Sequence, residues 1–426
     1  MSNTISWFDI FNLYTGNVPK PIVALPTLGP KTQVALINSV FPSIDQVESI
    51  SFESPYAVSG FVISKENQTQ ALVVCSRSTN MSKRIIFQGA SLLYAYINNG
   101  DTELPVYALT VNNKYTSNNA ESLYDVTDIT KDAKKEAFVL EAMSFNYNLS
   151  PPVISDPTFV AATSHLPSSN SKLLTTGFER GDFTKADEIP FQLLNTLQRH
   201  VHSAHLLNKP YIDRQGLYSQ LELLVSDLEN VYFLDFEATQ FLLPTIPNVR
   251  PYEQVAFQYS SHHWNGSNLS HKEFVSFDLN CERLLAEQLV LDITDTGSVL
   301  TYNAAFERMV LNKLARKFPD LSSNLLSIAS RLVDLHPIFK SGYYDPKQMG
   351  SWSLKKLLPC IVKRDLYSEL DGVSNGQEAS ALYQAVVSGD INSDDATKQA
   401  LPYCELDTLA LVYLFEFILN VTITEQ

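Results

Sequence analysis

Two carboxylates lie two residues apart in the apolar segment 231–237, which reads VYFLDFE. Its apolar and aromatic residues predict a buried strand. Because residues two apart share one face of a strand, Asp235 and Glu237 would point the same way. Neighbouring acids resist burial, and a bound divalent cation relieves their repulsion. The segment therefore indicates either a metal site or an edge strand whose acids face water.

The junction between a predicted strand and a predicted helix adds a third carboxylate. The strand spans 298–302, Asn303 is a residue type that often caps helices, and the helix spans 304–316. Glu307 would lie near the first turn of this helix. A capping box would place the acid three residues after the cap, where Phe306 stands, so a capping role is less favoured than ligation.

Tyr403 and Asp407 form the third motif, on a long helix predicted near the C-terminus. They are four residues apart and would share one helical face. A buried Tyr beside an exposed Asp has the same spacing, so the pair carries little information by itself.

Composition narrows the class of protein. The 426 residues are 45% hydrophobic and 11% aromatic, as in folded proteins, and are enough for two or three domains. The four Cys residues are far apart without a CxxC motif, so neither a zinc site nor a disulfide framework is indicated. The N-terminus lacks the regions of a secretion signal, and the apolar run 409–421 is too short for a bilayer. We therefore expect a cytoplasmic protein with no membrane partner.

The predicted elements indicate an α/β protein in three parts. Residues 1–150 would form an α/β module, 151–229 a linker followed by a helical connector, and 230–426 an α/β domain with a mixed sheet. The other predicted strands are 57–64, 70–76, 104–111, 122–126, 254–262 and 273–279, and the other predicted helices include 85–98 and 281–292.

One segment departs from the overall net charge of −15. Residues 308–364, here called the basic window, contain eleven Lys or Arg and three acids. Arg308, Lys355 and Lys356 are candidate phosphate contacts, and Trp352 is a candidate for stacking on a base. The alternative is a set of solvated helix faces.

In this order the three motifs resemble the DEDD superfamily of 3′–5′ exonucleases, which has an RNase H-like, DnaQ-like fold. A DxE strand, an NxxF(D/E)xxxL helix and a final YxxxD helix occur at 235–237, 303–311 and 403–407. The tyrosine is that of the tyrosine branch, since the histidine branch would have His where Pro402 stands. Glu307 replaces the usual Asp, which keeps the ligand type but can shift the metal geometry.

Further blocks resemble an uncharacterised bacterial family that joins a RecB-like PD-(D/E)XK nuclease module to a DEDD exonuclease-like module. The blocks are 250–259 (RPYEQVAFQY), 343–344 (YY), 350–359 (GSWSLKKLLP) and 376–380 (GQEAS). The resemblance implies an RNase H-like mixed sheet with helices in the C-terminal domain. It also implies a restriction-endonuclease-like α/β module before the helical connector.

The nuclease module of that family has an Asp on one strand and Glu-x-Lys on the next. The best alignment places Phe61 at the Asp, and Val74 and Ser76 at the Glu and Lys, so all three catalytic types are absent. Cys75 is the only Cys before residue 281, so a cysteine cluster for an iron–sulfur site is absent too. The resemblance therefore implies a degenerate module that is a scaffold, or a surface for nucleic acid or a protein partner.

For the C-terminal domain the resemblance implies a metal-dependent exonuclease acting on the 3′ end of DNA or RNA. Asp235, Glu237, Glu307 and Asp407 would hold two Mg²⁺ or Mn²⁺ ions, and Tyr403 would orient the attacking water. The alternative is a catalytically inactive DEDD-fold protein that binds nucleic acid or is a scaffold in a defence or repair complex.

Overall fold

The structure is a computed structural model that describes residues 37–423, apart from 39, 42, 53–57, 67, 77, 117, 119–122, 145–152, 242–243, 245 and 371. The N-terminal segment, the start of the predicted linker and the first residues of two predicted strands, 57 and 122, lie outside the described residues. Contacts divide the chain into two units, Met1–Ser155 with Phe241–Glu253, and Asp156–Gln240 with Gln254–Gln426. The helices of the predicted connector thus belong to the second unit.

The first unit is a five-stranded sheet with two helices on one face. Its elements are β1 (Gln46–Phe52), β2 (Val58–Lys65), β3 (Gln68–Cys75), α1 (Lys83–Asn98), β4 (Val106–Val111), β5 (Tyr124–Asp128) and α2 (Thr130–Ser144). The strand order is β1-β2-β3-β4-β5, and only β3 and β4 are a parallel pair among the described strands of this sheet. Helix α1 makes the crossover that a parallel pair requires.

The strand register corrects the alignment proposed for the degenerate nuclease module. Phe61 on β2 pairs with Val73 on β3 and shares its sheet face, whereas Val74 points to the opposite face, under α1. Phe61 and Val74 therefore cannot occupy two positions of one active site. Strands β2 and β3 contain no carboxylate in any register, so the prediction that they lack nuclease residues does not depend on the alignment.

The second unit is built around a mixed five-stranded sheet. The strands of the whole unit are β6 (Tyr211–Ile212), β7 (Val231–Thr239), β8 (Val255–Trp264), β9 (Leu269–Val275), β10 (Ser298–Thr301), β11 (Leu332–Asp334) and β12 (Tyr343–Tyr344), and β6 and β12 pair separately from the five-stranded sheet. Its helices are α3 (Pro157–Thr163), α4 (Lys172–Glu179), α5 (Thr196–Leu207), α6 (Arg214–Leu224), α7 (Cys281–Asp292), α8 (Ala305–Lys317), α9 (Ser322–Ser330), α10 (Leu335–Gly342), α11 (Leu354–Val362), α12 (Gly376–Ser388) and α13 (Ser393–Ile423). None of the described helices combines the length and apolarity that a membrane span needs.

The main sheet has the order β11-β10-β7-β8-β9. Strands β7, β10 and β11 are parallel, and β8 and β9 are antiparallel to their neighbours. The predicted α/β class with a mixed sheet is confirmed. Because β7 lies at the centre of the sheet, the interpretation of its acids as water-facing residues of an edge strand is wrong.

The two faces of β7 have different environments. Tyr232, Leu234 and Phe236 point into a hydrophobic core that α7, α8 and α9 complete. The alternate residues, Asp235 and Glu237 among them, lie on the opposite face, where α12 and α13 pack. The period of two along one strand therefore separates the core of the unit from its acids.

Strand β9 begins four residues before its predicted start. After Trp264 the chain makes a tight turn, in which the Asn265 N–H donates to the Asn268 carbonyl and Gly266 has a φ of +81°. This Asn-Gly turn joins β8 and β9 as a hairpin, so pairing starts at Leu269.

Candidate metal centre

Three carboxylates meet between β7 and α13. Asp235, Glu237 and Asp407 each place one oxygen atom within 4.8 Å of the other two. Glu237 and Asp407 are 7% and 8% exposed, so water compensates little of their charge. Oxygen atoms gathered in this way are the ligands that hard divalent cations bind.

A row of small residues brings α13 close to the sheet. The row has a spacing of four and is fully or almost fully buried: Ala396, Ala400, Cys404 and Thr408. Small side chains let the helix approach β7 so closely that Cys404 Sγ lies 3.6 Å from a carboxylate oxygen of Asp235. Tyr403 and Asp407 lie beside this row and are carried to the acids of β7.

Two tyrosines hydrogen bond to Asp407. Tyr367 Oη donates to Asp407 Oδ1 at 2.5 Å, and Tyr403 bonds the same carboxylate. Burial raises the pKa of Asp407 to about 6, and these hydrogen bonds and the charge of Lys355 oppose the rise. Burial and the nearby carboxylates raise the pKa of both tyrosines above the usual range, so both hydroxyls keep their protons.

The acids of β7 have strongly raised pKa values. Burial, and then the charges of Asp407, Glu237 and Glu307, hold the pKa of Asp235 well above its usual range. Burial, and then the charge of Asp407, raise the pKa of Glu237 to about 8, and the charge of Lys355 opposes this rise. A register shift follows Glu237, at the kind of bulge that redirects a side chain.

Glu307 reaches the same site from α8. Its side chain is 2% exposed, and its charge contributes to the raised pKa values of Asp235 and Glu237. Burial, and then the charge of Asp334, raise the pKa of Glu307 to about 8. Among the described residues none hydrogen bonds to Glu307 Oε2. A buried carboxylate oxygen without a partner is costly, and a cation would supply one.

The first turn of α8 corrects the predicted cap. The helix begins at Ala305, and Ala304 rather than Asn303 is the cap residue. Asn303 has a left-handed backbone with a φ of +75°. The Asp334 carboxylate accepts the N–H groups of both Asn303 and Ala304, so a distant acid does the capping. Glu307 then occupies the third helical position, where its carboxylate accepts its own N–H.

Lys355 is a basic residue close to the acids, since its charge opposes the rise in the pKa of Glu237 and Asp407. Its Nζ lies 5.0 Å from the ring centroid of Tyr403 and 5.6 Å from that of Tyr367. It also donates to the carbonyl of Ser374. Contacts with two aromatic rings and a carbonyl hold the ammonium in place. The prediction that Lys355 contacts a phosphate is therefore compatible with its position beside the acids.

A family model described as a domain of unknown function (DUF2779) matches residues 232–353. No curated protein and no solved structure matches the chain. The matched span contains Asp235, Glu237 and Glu307 and ends before α13, which carries Asp407. The description of the family states no activity, so the resemblances to DEDD exonucleases and to RecB-like modules stay predictions.

Trp352 does not have the position predicted for it. Its side chain is 5% exposed, its ring packs 5.2 Å from that of Tyr344, and its Nε1 donates to the Tyr343 carbonyl at 2.7 Å. A ring buried in this way cannot stack on a base, so that prediction is wrong. The buried ring of Trp352 instead stabilises the loop that precedes α11.

Arg308 and Lys356 are not gathered with the acids either. Arg308 donates to the Ala329 carbonyl at 2.6 Å, near the C-terminal end of α9. Lys356 is exposed and follows Lys355 on α11, about 100° further around the helix. Neither charge is among those that affect the pKa of the site acids.

Much of the basic window takes part in contacts within the chain. Lys313 and Lys317 pair with the buried Glu282. The other internal contacts are Arg331 with the carbonyls of Thr294, Thr296 and Gly297, Lys363 with the carbonyl of Cys360, and Arg364 with Glu369. The window is therefore not a continuous strip of free charge, as a phosphate-tracking surface would be.

Tyr367 and Cys404 belong to the site but have no signal in the sequence that would assign them to it. Tyr367 lies in a single turn, Tyr367–Glu369, forty positions before its partner Asp407. Cys404 belongs to a pattern that can be detected in the sequence, in which small residues recur every four positions. That pattern indicates a close helix contact but not the carboxylate that it touches.

Proposed function

We propose that the second unit is a metal-dependent 3′–5′ exonuclease of RNase H-like fold, acting on phosphodiester bonds of DNA or RNA. The observation that carries the proposal is the convergence of Asp235, Glu237 and Asp407 within 4.8 Å. A sheet in the order β11-β10-β7-β8-β9, with β7 at its centre, supports the RNase H-like fold that the order of the motifs implies.

The residues of the site fit a hard divalent cation. All four acids offer oxygen, which Mg²⁺ and Mn²⁺ prefer, and the buried Glu307 Oε2 has no hydrogen-bond partner among the described residues. Asp235, Glu237 and Asp407 would hold one ion, with Glu307 available to a second. The raised pKa values of Glu237, Glu307 and Asp407 show that the negative charge of each ionised carboxylate is poorly compensated in the folded protein. A bound cation would compensate this charge.

Bound Mg²⁺ or Mn²⁺ would supply Lewis-acid stabilisation of the negative charge that develops on the phosphodiester. Tyr403 hydrogen bonds to Asp407 and keeps its proton, so its oxygen can accept a hydrogen bond from water. A hydroxyl that keeps its own proton does not take one from water, and Tyr403 would therefore position the attacking water. Lys355 would place a positive charge near the phosphate that enters.

A digestion assay tests the proposal. Tag-free protein with Mn²⁺ should release nucleoside monophosphates from a 3′-labelled oligonucleotide and shorten a 5′-labelled one stepwise. Asp235→Asn and Asp407→Asn should lower the rate by about 10²-fold or more, since several kcal/mol of charge stabilisation are lost. Asp125→Asn, at an exposed carboxylate of β5, is the matched control. Equal rates for wild type and either site variant would refute the assignment.

A further inference from the structure

A second group of metal-ligating side chains lies on the same sheet face. His262 on β8 and His271 on β9 are cross-strand partners, and Glu405 lies on α13. Each of the three offers a ligand atom within 4.8 Å of the other two. The imidazole rings are 4.5 Å apart, and His271 Nδ1 lies 3.8 Å from Glu405 Oε1.

Two buried hydroxyl groups, those of Ser260 and Thr408, lie within hydrogen-bond distance of the imidazoles. Thr408 Oγ1 donates to the Glu405 carbonyl at 3.0 Å, and it lies 2.7 Å from Ser260 Oγ, where either hydroxyl can be the donor. His271 Nε2 lies 2.9 Å from Ser260 Oγ, and His262 Nδ1 lies 2.9 Å from Thr408 Oγ1. Each ring can donate through this nitrogen while a hydroxyl oxygen accepts.

When both rings donate to these hydroxyls, the free lone pairs lie at the remaining ring nitrogens, His262 Nε2 and His271 Nδ1. Metal-binding histidines commonly have this arrangement, in which the other nitrogen donates to a polar partner. Burial, and then the charge of His271, lower the pKa of His262 to about 4, so this ring is neutral at neutral pH.

We propose that His262, His271 and Glu405 bind one divalent transition-metal ion through two imidazole nitrogens and one carboxylate oxygen. Two histidines and a carboxylate form a ligand set of Zn²⁺ and related ions, which bind imidazole more readily than Mg²⁺ does. Side chains of His271 and Glu405 are 24% and 49% exposed, which leaves a path for the ion and a position for water.

The distance of 3.8 Å between His271 Nδ1 and Glu405 Oε1 is longer than in an occupied site. Ligand atoms of a tetrahedral site lie about 3.3 Å apart, as bonds of about 2.0–2.1 Å require. The half-exposed Glu405 side chain can close the remaining distance by rotation. Glu273 lies 4.0 Å from His271 Nε2, and burial, followed by the charge of Glu405, raises the pKa of Glu273. A divalent ion would offset the charge of the two carboxylates.

The ion would join α13 to the edge strand β9. Tyr403 and Asp407 lie two residues before and two residues after Glu405, so a bound ion would fix the helix that carries them. Metal binding here does not depend on the proposed exonuclease activity. This site differs from the cluster of four acids in ligand type, with nitrogen donors in place of an all-oxygen set.

Zinc binding to tag-free, full-length protein tests the proposal. In an Asp235→Asn background, which weakens the acid cluster, calorimetric titration after chelator treatment should show one Zn²⁺ bound per chain. His271→Ala and Glu405→Gln should weaken binding by at least about tenfold, and Thr408→Val by about 10–100-fold, the usual effect of losing a partner of a metal ligand.

His263→Ala is the matched control, because His263 follows His262 on β8, points to the opposite face and stacks on Tyr232. Its Zn²⁺ affinity should equal that of the background protein. If His271→Ala does not fold, the exposed Glu405→Gln decides. The proposal is overturned if no Zn²⁺ binds, or if affinity is unchanged in Glu405→Gln and in any folded His271→Ala protein.

Discussion

Replacing Asp235 with Asn should stabilise the metal-free protein above about pH 8, even though it removes a proposed ligand. The pKa values of Glu237 and Glu307 are raised to about 8 and that of Asp407 to about 6. A carboxyl group with a raised pKa binds its proton more tightly in the folded state. Its contribution to stability is complete below the unfolded pKa of about 4, and is lost as pH rises through the folded pKa.

The magnitude follows from the separation of the acids. Two unit charges 4.8 Å apart repel each other by about 3.5 kcal/mol at an effective dielectric constant of about 20. Protons shared among the acids lower this value, because they remove part of the charge. The free energy of unfolding of Asp235→Asn should exceed that of wild type by about 1–3 kcal/mol at about pH 8.5, and by almost nothing at about pH 5.

Urea unfolding in EDTA, followed by tryptophan fluorescence, measures this difference. Trp264 and Trp352 lie in the second unit, so the signal reports mainly on the unit that contains the acids. Addition of Mn²⁺ should reverse the order of stability, since wild type keeps all of its ligands. Asp125→Asn should unfold like wild type. A variant that is less stable than wild type in EDTA at high pH would refute the reasoning, and so would a gain that does not depend on pH.

Three further outcomes test other parts of the site. Tyr367→Phe removes a hydrogen bond that lowers the pKa of Asp407, and should move the acidic limb of the pH–rate profile up by about one pH unit; an unmoved limb would mean that Asp407 does not control it. Lys355→Ala should lower kcat/KM by about tenfold while the adjacent, exposed Lys356→Ala leaves it unchanged, as a pair of steady-state measurements would show. Full-length Asp407→Asn should show no residual endonuclease activity on circular DNA with Mg²⁺ or Mn²⁺, and cutting there would reveal a catalytic centre in the first unit.

Local pattern in the sequence was enough for the main elements and for the acids. Helix α7 has its predicted bounds, 281–292. Strand β7 places Asp235 and Glu237 on one face because the period of a strand is two. Tyr403 and Asp407 share a helical face for a similar reason. Both of these shared faces are set by residues at most four positions apart.

Tertiary structure alone decided which distant residues meet these acids. Lys355 rather than Arg308 approaches them, because α11 packs near the tyrosines whereas the Arg308 side chain bonds to α9. Trp352 is buried against the ring of Tyr344, and its indole N–H donates to the Tyr343 carbonyl. Such contacts join positions twenty or more apart in many cases, and their free energy depends on packing that no local period encodes.

The histidines and Glu405 show most clearly the difference between what the sequence determines and what the tertiary structure decides. In the sequence His262, His271 and Glu405 have no motif spacing, since the third is more than a hundred residues from the other two. A hairpin pairs His262 with His271, and the small residues of α13 bring Glu405 over them. The sequence determines which side chains can bind a metal, whereas the packing of one helix on one sheet determines which of them come together.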